Sequence, residues 1–508
     1  MAMSQAPHSL AHAIDTREAK NCLDAVSALP LGNPERTHRR MVRLLSVMWR
    51  YPPQPSGYLE VLESMAKPLA FVQGELAGRY ADKPLPPNQA ENEAFEWVVA
   101  LWRLMAQGYA QIAQAGGDHP EIQRQLALIC QRCLYYSGQV LAEHFRARRA
   151  PSPGLWLDLH GYYATAEECG LTGAVVWEAH DVATSCCDTF SALLLADLAD
   201  PYARNPREIS WILGWAQHFA SLTTVRSPRS ATDVCAYGVD LVQDHGLRLA
   251  EDLAPGDSLS LRYLDTIRLA PYLQQLIVQL KRGVPAATLG LGRQCQHPSA
   301  AHLLSKISRA WCQTASARRY PRSKLSIGKL LVCSGLDATH YHVGGGELMQ
   351  PDPGAAPMAP VLEQWRITDQ SLNGFSVMRE SAGGRVAHEE LFGIKSAQFR
   401  HFLLAKVRWL RLELSGQIHA GIQVLPGAPQ AIRVRAYGAV PPPTEEYQRA
   451  FLLPAVPALN KEASLVLPRG WFQPGRIIEM TSDRQVPVRL VRLLSQGSNF
   501  EQISFAAA

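Results

Sequence analysis

Arg318 and Arg322 stand four apart in the run Arg318-Arg319-Tyr320-Pro321-Arg322. Pro321 removes a backbone donor and pushes its predecessor out of helical angles, so the run reads as an extended or turned arm. Two guanidinium forks on such an arm can clamp opposite sides of one flat anionic ligand. Each fork can donate two-pronged to a phosphate or to the O6/N7 edge of guanine. Further along, Asp369-Gln370-Ser371-Leu372-Asn373-Gly374 offers the opposite chemistry. Asp and Ser two apart form turns because both side chains bond nearby backbone groups, and Gly374 is expected to supply a positive φ. The flanking runs 361–368 and 375–378 read as strands, which makes the motif a strand-turn-strand corner. A carboxylate presented there can accept the ring N–H and amino protons of guanine, and a hydroxyl can add a bond. The two motifs together specify a guanine nucleotide.

At these residues the chain resembles the PilZ family, cytoplasmic bacterial receptors for cyclic di-GMP built on a small β-barrel. The family's two signatures are R-x-x-x-R in an arm before the barrel and (D/N)-x-S-x-x-G on one of its turns. Both are matched, in that order, and the resemblance covers about residues 316–440. It implies phosphate and guanine contacts for Arg318 and Arg322, with Arg319 a further candidate. It also implies guanine contacts for Asp369 and Ser371, and the turn position for Gly374. An arginine pair is most often a solvated surface and D-x-S-x-x-G an ordinary turn; their ordered combination in strand-rich text carries the reading.

Charge points to the same stretch. Residues 316–440 hold fifteen Lys/Arg against nine Asp/Glu, so all of the net +5 lies within the segment that carries the arginine arm. A solvated basic face would give the same balance, but the coincidence favours an anionic ligand there. Nucleic acid is a weaker fit, because the basic text lacks aromatics on which bases would stack.

The elements that must position these residues follow from the rest of the chain. A length of 508 residues calls for two to four domains, and 47% hydrophobic with 19% charged residues is ordinary globular composition. Residues 1–35 are expected to be a flexible N-terminus without a signal peptide or anchor, and no apolar run approaches the eighteen residues of a membrane span. Ten cysteines without disulfide-like spacing suit a reducing, cytoplasmic compartment.

Residues 36–313 read as an all-helical, irregular, solenoid-like domain, with a subdivision near residue 225 left open. Phe95, Val98, Val99, Trp102, Met105, Tyr109 and Ile112 recur at spacings of three and four. Similar stripes predict helices over 122–145, 155–169, 187–199, 206–222, 259–282 and 300–313. Residues 233–242 read as extended. Cys130 and Cys133 form a C-x-x-C inside one of these helices, where core cysteines are expected rather than a redox or zinc site. His340 and His342 are expected on one face of a strand, with no third metal ligand nearby.

Residues 314–440 are expected to form a PilZ-like antiparallel barrel. Its later strands lie over 402–414, 421–425 and 431–437, the first two joined by the Ser415-Gly416 turn. Residues 441–508 read as a β extension that either enlarges this sheet or makes a small second module. The fold class is thus multidomain α + β. No phosphate loop, nucleophile elbow, catalytic residue or metal site is apparent, so the chain is not expected to be an enzyme. The preferred expectation is a cytoplasmic cyclic di-GMP receptor, with no other cofactor, no nucleic acid and no membrane insertion, whose helical domain engages an unidentified protein partner. A scaffold or chaperone-like adaptor with a structural, ligand-free barrel is the alternative.

Overall fold

The structure is a computed structural model. It describes residues 15–117, 119–178, 182–227, 236–253, 259–292, 295, 298–312, 323–344, 360–380, 383–396, 399–437, 447–481 and 484–508. A helical region is followed by two closed six-stranded barrels.

The helical region comprises α1 (Ala19–Ser27), α2 (Pro34–Arg50), α3 (Pro55–Ala77), α4 (Gln89–Ala115), α5 (Pro120–Arg146), α6 (Leu155–Glu168), α7 (Cys186–Leu198), α8 (Pro206–Phe219), α9 (Leu269–Lys281) and α10 (Pro298–Cys312). Helix starts are chemically marked. Asn88 with Glu91 and Asn205 with Glu208 form reciprocal capping boxes at α4 and α8, and Ser185 caps α7. The apolar stripe of α4 packs on α5, where Tyr109 and Tyr136 stack at 5.5 Å and Arg132 grips the Glu63 carboxylate at 2.8 and 2.9 Å.

Several expectations are corrected here. Residues 19–27 are helical, with Cys22 and Val26 buried, so the flexible N-terminus does not extend to residue 35. The region is not all-helical. It holds a hairpin of β1 (Val176–Glu178) and β2 (Val182–Thr184), and a four-stranded sheet of β3 (Thr224–Arg226), β4 (Tyr237–Asp240), β5 (Arg248–Leu249) and β6 (Leu261–Asp265) in the order β3-β6-β4-β5. The helix expected over 259–282 is therefore β6 followed by α9. Nor is the core divided near residue 225, because Val225, Val239 and Leu264 belong to the same buried cluster as Leu62 and Trp311.

The first barrel runs β10-β11-β12-β9-β8-β7, from β7 (Ser323–Ser334), β8 (Glu363–Ser371), β9 (Gly374–Arg379), β10 (Leu391–Ser396), β11 (Leu403–Leu412) and β12 (Ile418–Val424). Trp365, Phe375, Val377, Phe392, Val407 and Ile422 point into it. The second barrel runs β13-β14-β15-β18-β17-β16, from β13 (Gln430–Ala436), β14 (Gln448–Leu453), β15 (Ser464–Pro468), β16 (Ile477–Thr481), β17 (Gln485–Gln496) and β18 (Phe500–Ala507). The strand expected at 431–437 does not close the first barrel; it opens the second, pairing with β14 and β16. Residues 441–508 supply the other strands of that separate barrel rather than an extension of the first sheet.

His340 and His342 lie on a helix, α11 (Leu336–Val343), not a strand. This helix is wedged between the barrels. Leu336 and Val343 pack against Leu391 and Leu404 of the first and Phe451, Val466 and Phe500 of the second, and His340 Nε2 lies 3.0 Å from the Ile432 carbonyl oxygen.

The helical region grips the first barrel at two places. Leu85, in the loop after α3, exchanges backbone hydrogen bonds of 2.8 and 2.7 Å with Val386 and inserts its side chain into the barrel core. Residues 148–150, after α5, exchange 2.8 Å bonds with both backbone groups of Leu412.

Candidate functional site

The D-x-S-x-x-G motif sits where β8 turns into β9. Ser371 and Gly374 are paired across a two-residue loop, Ser371 Oγ donates to the Gly374 carbonyl at 3.3 Å, and the Asn373 carbonyl accepts from Val424 N at 2.9 Å. Asp369 and Ser371 are both half-buried. Gly374 is required for a different reason than expected. Its φ is not positive. Instead it lies flat against β12, so that a Cβ would overlap the Ile422 carbonyl oxygen and stand 3.1 Å from the carbonyl carbon.

A bulge between Ile367 and Asp369 on β8 sets the direction of the motif. Ile367 pairs with Val377, both inward, whereas Asp369 pairs with Ser376, which lies between inward-facing Phe375 and Val377 and so faces out. On its other side Asp369 stands opposite Lys324 of β7, and Gln370 opposite Ser323. Arg318, Arg319 and Arg322 lie outside the described residues.

The same outward row continues across the barrel to a residue that the motifs did not point to. Ser376 pairs with Gly421 on β12, and Gly421 with Trp409 on β11. Gly421 has no side chain because the Trp409 indole occupies that space; a Cβ there would stand 2.5 Å from its Cδ1 and Cε2. Asp369, Ser376, Gly421 and half-buried Trp409 thus make one row across the barrel, with a carboxylate at one end, an aromatic ring at the other and the buried Ser376 and Gly421 between them. The signal was present in sequence: a hairpin closing at Ser415-Gly416 brings Trp409 opposite a position near Gly421.

One row further along, outward positions carry ion pairs. Arg366 binds Glu380 at 3.0 Å, and Arg411 binds Glu413 at 2.6 Å. His419 stands between these arginines. Burial lowers its pKa, Glu413 opposes that, and the two guanidinium groups add to it. Arg411 also lies 5.6 Å over the Tyr202 ring of the helical region, so this second row reaches the helices.

The C-x-x-C cysteines lie in the helical core. Cys130 and Cys133 are buried on α5, where desolvation pushes the Cys130 thiol up to about 11 and that of Cys133 well above its ordinary value. Thiols held protonated in this way are poor nucleophiles and poor metal ligands. No cluster of three or more metal-ligating side chains occurs among the described residues.

Comparison with known proteins matches two stretches of the chain. Residues 20–229 match the family model described as Cyclic-di-GMP receptor FimW, N-terminal domain, and residues 433–508 match that of the FimW C-terminal beta-barrel domain. Each end of the chain is thus similar to a FimW-type domain. Across its length the chain is similar to the Cyclic-di-GMP receptor FimW of Pseudomonas aeruginosa, 23% identical over 586 aligned positions that cover 99% of this chain and 94% of the relative. The FimW C-terminal match begins within β13, in agreement with the separate closure of the second barrel. The Asp369–Trp409 row on the first barrel lies between the two matches.

Proposed function

We propose that this chain is a cytoplasmic cyclic di-GMP receptor that binds the nucleotide, without turning it over, on the outer face of the first barrel. The observation that supports the reading is that the start of β7, which follows the arm in sequence, is paired with the β8–β9 corner. Asp369 and Ser371 face outward at the β8–β9 corner, and the strand that follows the R-x-x-x-R arm begins at Ser323, opposite Gln370 of that corner. Arg318 and Arg322, with Arg319 as a further contact, supply donors to the phosphates and the O6/N7 edge. The Asp369 carboxylate takes the N–H donors of guanine, Ser371 adds a hydroxyl, and Trp409 offers a face for the second base. The similarity to a protein described as a cyclic di-GMP receptor supports the ligand. No described helix is long and apolar enough to cross a membrane.

The arm is the covalent path from α10 to β7. Leu303, Leu304, Ile307 and Trp311 of α10 are built into the helical core, and Trp311 Nε1 donates to the Leu195 carbonyl at 2.8 Å. Drawing the arm onto the nucleotide therefore biases how the helical region sits on the barrel, and through it the surface offered to a protein partner. The bias equals the ligand's differential affinity for the two arrangements.

Calorimetric titration with cyclic di-GMP, with GTP and a single-stranded oligonucleotide as competitors, tests the ligand. The expected result is selective binding at micromolar affinity or tighter and unchanged nucleotide after recovery. Hydrolysis, or equal competition by GTP, would reject the receptor reading in favour of another use of the barrel.

A further inference from the structure

Where the helical region meets the first barrel there is a cavity of about 320 Å³, which none of Asp369, Ser376, Trp409 and Gly421 lines. The helical region contributes Trp156, Asp197, Tyr202, Asp244 and Arg248 to its wall, and β11 and the turn after it contribute Arg411 and Glu413. The charges in this wall are not equally satisfied. Asp244 accepts from the backbone N–H groups of Gly154 and Trp156 at 2.6 and 3.1 Å, which uses both its oxygens to hold the start of α6. Glu413 is taken by Arg411, at 2.7 Å from Nε and 2.6 Å from Nη2.

Asp197 is different. No group among the described residues donates a hydrogen bond to its carboxylate, and Arg248 and Arg411 act on it only through their field. Burial pushes its pKa up to about 6, and the neighbouring Asp200 adds to the rise. Gly246 leaves the carboxylate open to the cavity, since a Cβ there would collide with Asp197 Oδ2 and stand 2.7 Å from the Trp156 ring. The Asp197 side chain is half-buried and takes no donor from the described residues, so water meets it unless an occupant of the cavity supplies one. A guanine base offers N–H donors but no charge, and the phosphates of its nucleotide would be repelled by Asp197 and Asp200. A compact organic cation supplies both donor and charge, and the Trp156 indole beside the carboxylate suits it further.

We propose that this junction cavity is a binding site for a guanidinium or primary ammonium group, held against the Asp197 carboxylate. Because its wall is shared by the helical region and the first barrel, the occupant spans the junction between them. The site stands on its own residues and does not depend on nucleotide binding at Asp369.

The test is calorimetric titration of the full chain with agmatine and spermidine as free cations, and with N-acetyl-arginine amide and N-acetyl-lysine amide as stand-ins for a side chain of a bound segment. At least one probe binds the parent, and the tighter class assigns the source. Asp197→Asn weakens that probe by at least about tenfold, the size expected for loss of a charged hydrogen-bond partner. Arg248→Ala, which removes a competing cation, tightens it by about threefold at low salt. Thermal unfolding of the Asp197→Asn protein without ligand shows an unchanged or higher midpoint. The proposal is overturned if no probe binds at millimolar concentration or if Asp197→Asn binds as the parent does. It is equally overturned if Asp197→Asn unfolds at a lower temperature, which would mean that the carboxylate already has a partner.

Discussion

At the scale of single residues, Asp369 and Gly374 belong to one motif but do separable work. Asp369 is half-buried at an outward strand end, so Asp369→Ala is expected to leave the barrel folded and weaken cyclic di-GMP binding by about 1.5–3 kcal/mol, the range for removing a charged acceptor. Gly374→Val should act on the fold instead. Its side chain has nowhere to go but into the Ile422 carbonyl, at a cost of about 2–3 kcal/mol of overpacking. Chemical denaturation beside calorimetry separates the two effects; equal binding by both variants would reduce the motif to a plain turn. A third residue gives a pH prediction. Glu390 is held in the barrel wall with one oxygen 2.7 Å from Ala387 N, and burial, aided by Glu363, pushes its pKa up to about 7. Between the ordinary carboxylate value and pH 7 the folded state then binds more protons at this site than the unfolded state, so its contribution to stability falls as pH rises through that window. Glu390→Gln should remove that decline, which denaturation midpoints measured from pH 5 to 8 will register.

At the scale of elements, what was legible tracked how each element divides its neighbours. A long helix such as α4 buries one stripe and shows a period of three to four in sequence, whereas α5 is buried nearly all round from Ile129 to Phe145. β8, β9 and β11 have one face in the barrel core and one outside it, so their text was readable as strand. β10 was not anticipated. Phe392 and Ile394 fill the barrel while Leu391 packs against the second barrel and Gly393 is pressed by Cys333 and Thr339, so both faces are buried and no alternation survives. β3 to β6 are two to five residues long, too short for any period to stand out. The pattern of β13 was readable but its partner was not, because alternating text fits either barrel equally well. Of the candidate site, the two motifs were plain in sequence, whereas Trp409 had only the indirect signal of the Ser415-Gly416 hairpin and was placed by the strand register. Leu85 was equally hidden, since a lone leucine in a loop has no periodicity to betray its burial. It carries a prediction of its own. Leu85→Ala should cost about 2–4 kcal/mol, as for a cavity in a packed core. The loss should appear as faster hydrogen exchange in β10 to β12; unchanged exchange there would mean that the loop is not part of that core.

For the whole molecule, the account makes three bodies depend on one face. Leu85 and residues 148–150 tie the helical region to the first barrel, α11 ties the first barrel to the second, and the arm joins α10 to the strand opposite Asp369. The central claim is that the arginines of this arm serve the ligand and not the fold. The most direct measurement is calorimetric titration of cyclic di-GMP into the protein with Arg318→Ala and Arg322→Ala combined, read beside denaturation of the same protein without ligand. The account predicts that binding is lost while apo stability stays within roughly 0.5 kcal/mol of the parent, the usual span for surface substitutions. Parental affinity in the double variant, or collapse of its apo stability, would contradict it, and the barrel would then be better understood as a structural module of a ligand-free adaptor.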